Sequence, residues 1–297
     1  MQPSMRLSEL GELALLRELE RRGLVHGVEH DAAQLEGGLV VTQDALVEDV
    51  HFRLEWSSWA DLGYKAAAVN LSDLAASGAR PEGLIVSLGL PTDTEASSVV
   101  ELYEGLNQPG VPVVGGDTTA ADRVYLSVTA LGYSERVPGR AGARPGDFLV
   151  VTGPLGASAA GFFCLREGID SALRAAHLRP PLRLEEGQAL ARAAHAMLDI
   201  SDGLAADAQH LAERSNCRVV IDLEDVPVAQ GVTEVAATVG KDVWELACAF
   251  GEDYELLAAV SDPGGRVVVG RCEPGCGVEI RLGGSPVALT GWEHFSA

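Results

Sequence analysis

Two short segments set a serine–aspartate pair in apolar surroundings: "VNLSDLAASG" at residues 69–78 and "LDISDGLAAD" at 198–207. Both read Asn/Asp–Leu/Ile–Ser–Asp, with leucine and alanines close behind. In the first, Ala66, Asn70, Asp73 and Ser77 recur at spacings of four, three and four, which places them on one small, polar helix face. Such a face suits a cleft, and equally an ordinary solvated surface. In the second, the pattern predicts Asp199 at a strand end, Ser201 as an N-cap and Asp202 in the first helical turn. Helix N-termini suit anions, and strand C-ends are where α/β proteins bind ligands. A metal on Asp199 and Asp202 with a phosphate on Ser201 fits this pattern; so does a capping pair with no ligand.

Further acids are expected at element ends: Asp31 in "EHDAAQL", Asp44 in "VVTQDALVEDVHF" and Asp117 in "VVGGDTT". Before Asp117, Gly115 and Gly116 permit close backbone approach to a ligand while the aspartate holds a cation. "VTGPLGAS" reads as another strand–glycine–helix turn. Every donor here is oxygen, which favours Mg²⁺ over zinc or copper. The chain has neither the G-x-x-x-x-G-K-[ST] loop nor the protein-kinase motifs. Phosphoryl transfer on these residues would neutralise ATP with metal-bound carboxylates and an arginine instead of a loop lysine. The only lysines are Lys65 and Lys241.

The elements that must carry these residues alternate. A strand or two short ones begin at residue 39, "WADLGYKAAAVNLSDLAASGA" is a long helix closed by Gly78, and "EGLIVSLGLP" is a strand. A helix over "EASSVVELYEGLNQ", a strand running into a glycine turn at "VPVVGGDTT" and the strand "RVYLSVTALGYS" complete a first α/β unit. "SERVPGRAGARPGD", residues 134–147, has the Gly, Pro and Arg content of a junction. Beyond it come strand "FLVVTG", a helix from Ala157, strand "AMLDI", a helix from Asp202 and strand "RVVIDL", with the C-terminal strands closing a second sheet. The predicted domains are therefore 1–137 and 138–297, of class α/β (α+β).

At 297 residues, 47% of them hydrophobic, the chain can bury a substantial core. A net charge of −21 argues against nucleic acid or an anionic membrane as partner. No apolar run reaches the roughly 18–20 residues of a membrane helix. The N-terminus reads as an amphipathic helix and not a secretory signal, so a cytoplasmic location is expected. Five cysteines, an odd count, read as reduced thiols, and "CEPGC" lacks a second Cys/His pair for zinc.

Taken in order, "TQDALVEDVHF", "GYKAAAVNLSDLAASGARP", "VVGGDTT", "RAGARPGD", "AMLDISDGLAAD", "GEDYELL" and the terminal "GWEHF" resemble the thiamine-monophosphate kinase family, within the aminoimidazole-ribonucleotide synthetase superfamily. The resemblance runs over nearly the whole chain from residue 27. It implies a two-domain fold that dimerises through its N-terminal domain, with strands of both subunits forming a barrel and ATP in a cleft between the domains. It implies in-line transfer from ATP to thiamine monophosphate with several Mg²⁺ ions and no phosphoenzyme. Position by position, Asp31, Thr42, Asp44, Asp73, Asp117, Asp199 and Asp202 match magnesium positions. Gly116, Asp117, Arg140 and Ser201 match positions around ATP. His51, Glu252 and Trp292 match positions around the thiamine phosphate, and an indole suits a cationic aromatic ring.

The family's usual Gly-Asp-Asp-Ala-Ala is here "EHDAA", and Gln43 replaces a threonine. His30 is no carboxylate; Glu29 either adds a side chain where a backbone approaches phosphate or supplies the missing carboxylate from one residue away. Two alternatives follow. One is another enzyme of the superfamily, disfavoured because no cysteine precedes Cys164 and the chain ends "HFSA". The other is a protein that binds nucleotide or thiamine phosphate without turnover.

Overall fold

The computed structural model describes residues 6–26 and 30–292. In chain order the first half contains α1 (Leu7–Leu10), α2 (Glu12–Arg21), β1 (Ala33–Gln34), β2 (Leu39–Val47), α3 (Trp59–Ala76), β3 (Arg80–Leu90), α4 (Ala96–Asn107), β4 (Val113–Ala120) and β5 (Tyr125–Tyr133). The second contains β6 (Phe148–Val151), α5 (Ala157–Arg166), α6 (Arg174–Leu178), α7 (Leu184–Ala191), β7 (Ala196–Asp199), α8 (Leu204–Ser215), β8 (Arg218–Asp222), α9 (Val232–Val239), α10 (Val243–Cys248), β9 (Leu256–Val260), β10 (Val267–Glu273), β11 (Gly277–Leu282) and β12 (Ser285–Val287).

Among the described residues two sheets form, of order β1-β2-β5-β3-β4 and β12-β11-β8-β10-β6-β9-β7. The first is antiparallel except for the β3–β4 pair, and the second except for β8–β11. The first sheet is open within one chain, so the barrel implied by the resemblance is not closed by a single copy. β4 is its edge, and nearly all of that strand is solvent-exposed.

Helix α3 runs between the two sheets. Ser58 starts it by accepting the Asp61 N–H at 3.1 Å, and Gly78, at φ 61°, turns the chain out of it. Leu62, Leu71 and Leu74 are fully buried against β2–β5 and α4. Ala75 and Ala76 pack instead with Val150, Met197 and Leu256 of the second sheet and Leu190 of α7. One helix thus touches both cores, and its polar residues can reach both halves.

Four local expectations need correction. The N-terminal helix is two helices broken at Gly11, φ 77°, and residues 1–5 of that expectation lie outside the described residues. "VVGGDTT" is continuous strand, not a strand entering a turn, because Gly115 and Gly116 pair with Ile85 and Val86 of β3. Asp44 and Asp117 therefore lie within strands, not at their ends. Ser201 does not cap a helix: α8 begins at Leu204 after Gly203, φ 101°, and Ser201 and Asp202 form the loop before it.

Candidate active site

The two serine–aspartate segments meet. Ser72 of the first donates to Asp199 Oδ2 of the second at 2.6 Å, wholly buried. On the neighbouring face of α3, Asn70 Oδ1 accepts the Asp44 N–H at 3.0 Å. The Thr42 hydroxyl lies between the Asp73 carboxylate and the Asp31 carbonyl. Arg140, from the segment between the sheets, donates from Nε to Asp31 Oδ1 at 2.7 Å. The Asp202 N–H donates to Asp207 Oδ2 at 3.1 Å.

These contacts gather Asp31, Asp44, Asp73, Asp199, Asp202 and Asp207 around one arginine. Burial, then Asp31 and Asp202, pushes the Asp44 pKa up to about 6. Burial, then Asp31, pushes Asp199 to about 8, against the bond from Ser72. Asp73 is raised by burial, then Asp44, Asp199 and Asp31. Asp207 is raised by burial, then Asp202 and Asp199. Burial works against the charge on Arg140, but Asp31, then Asp207 and Asp199, outweigh it and raise its pKa. Carboxylates crowded this closely out of water repel one another, and only added positive charge lets them all ionise. The six aspartates offer carboxylate oxygens, so the cluster fits hard divalent cations such as Mg²⁺; a ring nitrogen of His210 also lies within 4.8 Å of the Asp202 and Asp207 oxygens.

The remaining predicted residues fall in three places. Ser201 and Asp202 are held by the "GEDYE" loop: the Glu252 N–H donates to Ser201 O at 2.8 Å and the Tyr254 N–H to Ile200 O at 3.0 Å. A Cβ on Gly251 would meet Ser201 O at 2.2 Å, so glycine is what allows this contact. Trp292 donates its N–H to Asp202 O at 3.0 Å, and its half-exposed side chain borders a groove of about 610 Å³ lined also by Trp244, Phe250 and Leu289. His51 accepts the Val47 N–H on Nδ1 at 3.1 Å, which assigns its ring proton to Nε2. Glu252 lies near His51, its carboxylate 3.1 Å from the buried Lys65 ammonium.

Gly116 and Asp117 are elsewhere. They lie on the edge strand β4, three strand positions from the β2 that carries Asp44, or roughly 14 Å at ordinary strand spacing. One chain does not bring them to the cluster.

An AIR synthase related N-terminal domain model matches residues 29–134, and the corresponding C-terminal domain model matches 144–283. The thiamine-monophosphate kinase of Aquifex aeolicus is 37% identical over 98% of this chain and 100% of its own length. The chain belongs to the thiamine-monophosphate kinase family. A solved structure of AaThiL complexed with AMPPCP and TMP superposes with a TM-score of 0.91 at 36% identity, covering 99% of this chain and 100% of that one. A hydrogenase-maturation protein, HypE, superposes at 0.71 with 20% identity over 92% of this chain and 94% of its own, a likeness of fold alone.

Against that family, the change to "EHDAA" has a visible consequence at His30. Its ring lies so close to Gly139, φ 68°, that a Cβ there would meet Nδ1 at 1.9 Å, and among the described residues the buried Nδ1 has no hydrogen-bond partner. Glu29 lies outside the described residues. Sequence reasoning missed Asp207 and Lys65. Asp207 stands five residues after Asp202 in "DISDGLAAD", where it reads as an ordinary first-turn acid, and Lys65 reads as a surface charge on a helix. The rarity of lysine was the available signal for the second.

Proposed function

We propose that the protein transfers the γ-phosphoryl group of ATP to thiamine monophosphate, giving ADP and thiamine diphosphate in one in-line step. The observation that carries this reading is the carboxylate cluster, contributed by both halves and buried around Arg140. The relative solved with AMPPCP and TMP supports the pairing of substrates. The chain divides in function at residues 137 and 138, the first part holding Asp31, Asp44 and Asp73 and the second Asp199, Asp202 and Arg140.

Asp31, Asp44, Asp73, Asp199 and Asp202, with Thr42, would hold several Mg²⁺ ions. When bound, Mg²⁺ supplies positive charge between the ATP phosphates and the acceptor phosphate. The chain's own work is alignment. Ser72 fixes the Asp199 carboxylate, Asn70 fixes the backbone at Asp44, and Arg140 balances Asp31 beside the phosphates. No general base is needed, because the acceptor oxygen is already anionic. Ser201 offers its hydroxyl to ATP, while His51, Glu252 and Trp292 receive the acceptor.

A homodimer completes the site. The exposed strand β4 and the apolar side chains Ile85, Val114, Tyr125 and Tyr133 on the open sheet suit pairing with a second copy. That pairing would carry Gly116 and Asp117 to an ATP site from which one chain keeps them distant.

The test is incubation of purified protein with ATP, Mg²⁺ and thiamine monophosphate, following thiamine diphosphate by chromatography. Turnover should fall by more than about 100-fold in Asp202→Asn, since even disturbing a metal's outer shell costs up to that much. The Mg²⁺-dependent rise in melting temperature should shrink in the same variant. Binding of thiamine monophosphate without product would favour a role without turnover, and neither product nor binding would overturn the reading.

A further inference from the structure

We infer that Lys65 is a positioning residue for the acceptor: its buried ammonium holds Glu252 and His51 together at the end of the site remote from the carboxylate cluster. This deepens the proposed kinase reading and rests on it.

Lys65 is 3% exposed, and its Nζ lies 3.1 Å from the Glu252 carboxylate and 3.3 Å from the His51 carbonyl oxygen. These partners come from different halves of the chain and are two of the three positions expected around the acceptor. Lys65 and Ser72 are seven residues apart on α3, so they share a face about 10 Å apart. Ser72 reaches Asp199 at the cluster and Lys65 reaches Glu252. The same helix therefore fixes two points about 10 Å apart, a separation comparable to the length of thiamine monophosphate from phosphate to pyrimidine.

Stability does not explain this lysine. A buried ion pair replaced by packed apolar side chains is often neutral or stabilising, whereas one unpaired partner is destabilising. The backbone around its partner is also costly. Gly251, Glu252 and Tyr254 all have positive φ, of 87°, 58° and 52°, and left-handed non-glycine residues are strained and cluster at ligand sites.

Glu252 is enclosed on its other side by His177, whose Nδ1 is 3.1 Å away. Its side chain keeps 22% exposure. Half-buried aromatic rings lie alongside: Phe162 is 5.6 Å from the His177 ring, 5.7 Å from Trp56 and 5.1 Å from Phe250. An ionised carboxylate beside aromatic faces is suited to a cationic heteroaromatic ring bearing an amine. Without Lys65, Glu252 loses its principal counter-charge and the His51 carbonyl loses a donor, while the ATP end is untouched.

The experiment compares wild type, Lys65→Met, Glu252→Gln and the double variant. It measures KM for each substrate, thiamine monophosphate binding in the presence of a non-hydrolysable ATP analogue, and urea stability. Lys65→Met should raise KM for thiamine monophosphate about 30-fold or more, as expected for truncating one partner of a buried charge pair. KM for ATP should stay within about twofold. In the Glu252→Gln background the same change should add less than about threefold, because the group it positions is already altered. The double variant lacks both charges and should fold even if Lys65→Met alone does not. KM values that rise together for both substrates, or effects that multiply in the double variant, would overturn the inference alone. Wild type that neither binds nor converts thiamine monophosphate would overturn the kinase reading, and this inference with it.

Discussion

His177 sits on α6 with its Nδ1 3.1 Å from both Ser158 Oγ and Glu252 Oε2. Burial, then the Lys65 charge, lowers its pKa to about 4, against the pull of Glu252. A histidine in the unfolded chain titrates near 6.5. As pH falls from about 6.5 towards 4, the unfolded state takes up the proton first, and stability drops by up to about 1.4 kcal/mol per pH unit. Urea unfolding at pH 7, 6 and 5 should show wild type losing more stability than His177→Gln over that interval. Equal slopes would mean that His177 titrates in the folded protein as it does in the unfolded chain. Burial at single residues also explains Asp207, whose role is invisible in the sequence. It accepts the Asp202 N–H and so ties the loop before α8 back to that helix, where the sequence pattern had expected a cap from Ser201.

Among the elements, α3 and α4 cross so closely that two glycines are required. A Cβ on Gly63 would meet Leu102 O at 2.0 Å, and one on Gly105 would meet Ala60 O at 2.1 Å. The obstructing atoms are backbone and cannot turn aside. Gly105→Ala, which would favour an isolated helix by up to about 1 kcal/mol, should here destabilise by about 1–3 kcal/mol or more. Equilibrium denaturation measures the sign. A stabilised Gly105→Ala would mean that the helices do not cross at this distance. This crossing presses α3 onto the first sheet and so sets where Asn70, Ser72 and Asp73 point. Extent and type of α3 were legible from the segment beginning at Trp59 and from Gly78 that closes it. Its position between two sheets was not, because alanine-rich faces such as Ala66–Ala68 and Ala75–Ala76 fit almost any neighbour.

Across the whole molecule, the two halves are joined by Ser72 to Asp199, Lys65 to Glu252 and Arg140 to Asp31, with a small shared core around Ala75, Met197 and Leu256. Each link brings at least one residue expected at the site, so disturbing the junction disturbs the chemistry. The same scale governs assembly. Sedimentation should give about twice the 31.1 kDa chain mass. Val114→Lys, placing charge on the exposed edge strand, should weaken the dimer and lower turnover together. A wild-type monomer with full turnover would remove Gly116 and Asp117 from the proposed ATP site.

The sequence by itself determined the type of most elements it named and the junction between the two sheets. It could do so because periodicity, caps and glycine turns act over a few residues. It also carried enough motif order to indicate the family. Only the tertiary structure decided which of these residues meet. Ser72 finds Asp199 across 127 residues and Lys65 finds Glu252 across 187. Gly116 and Asp117, with as clear a motif as any, are carried to the far edge of the sheet by strand order. A local pattern specifies what a residue can do; the packing of α3 between two sheets, a sum of many weak apolar contacts, specifies where it is done.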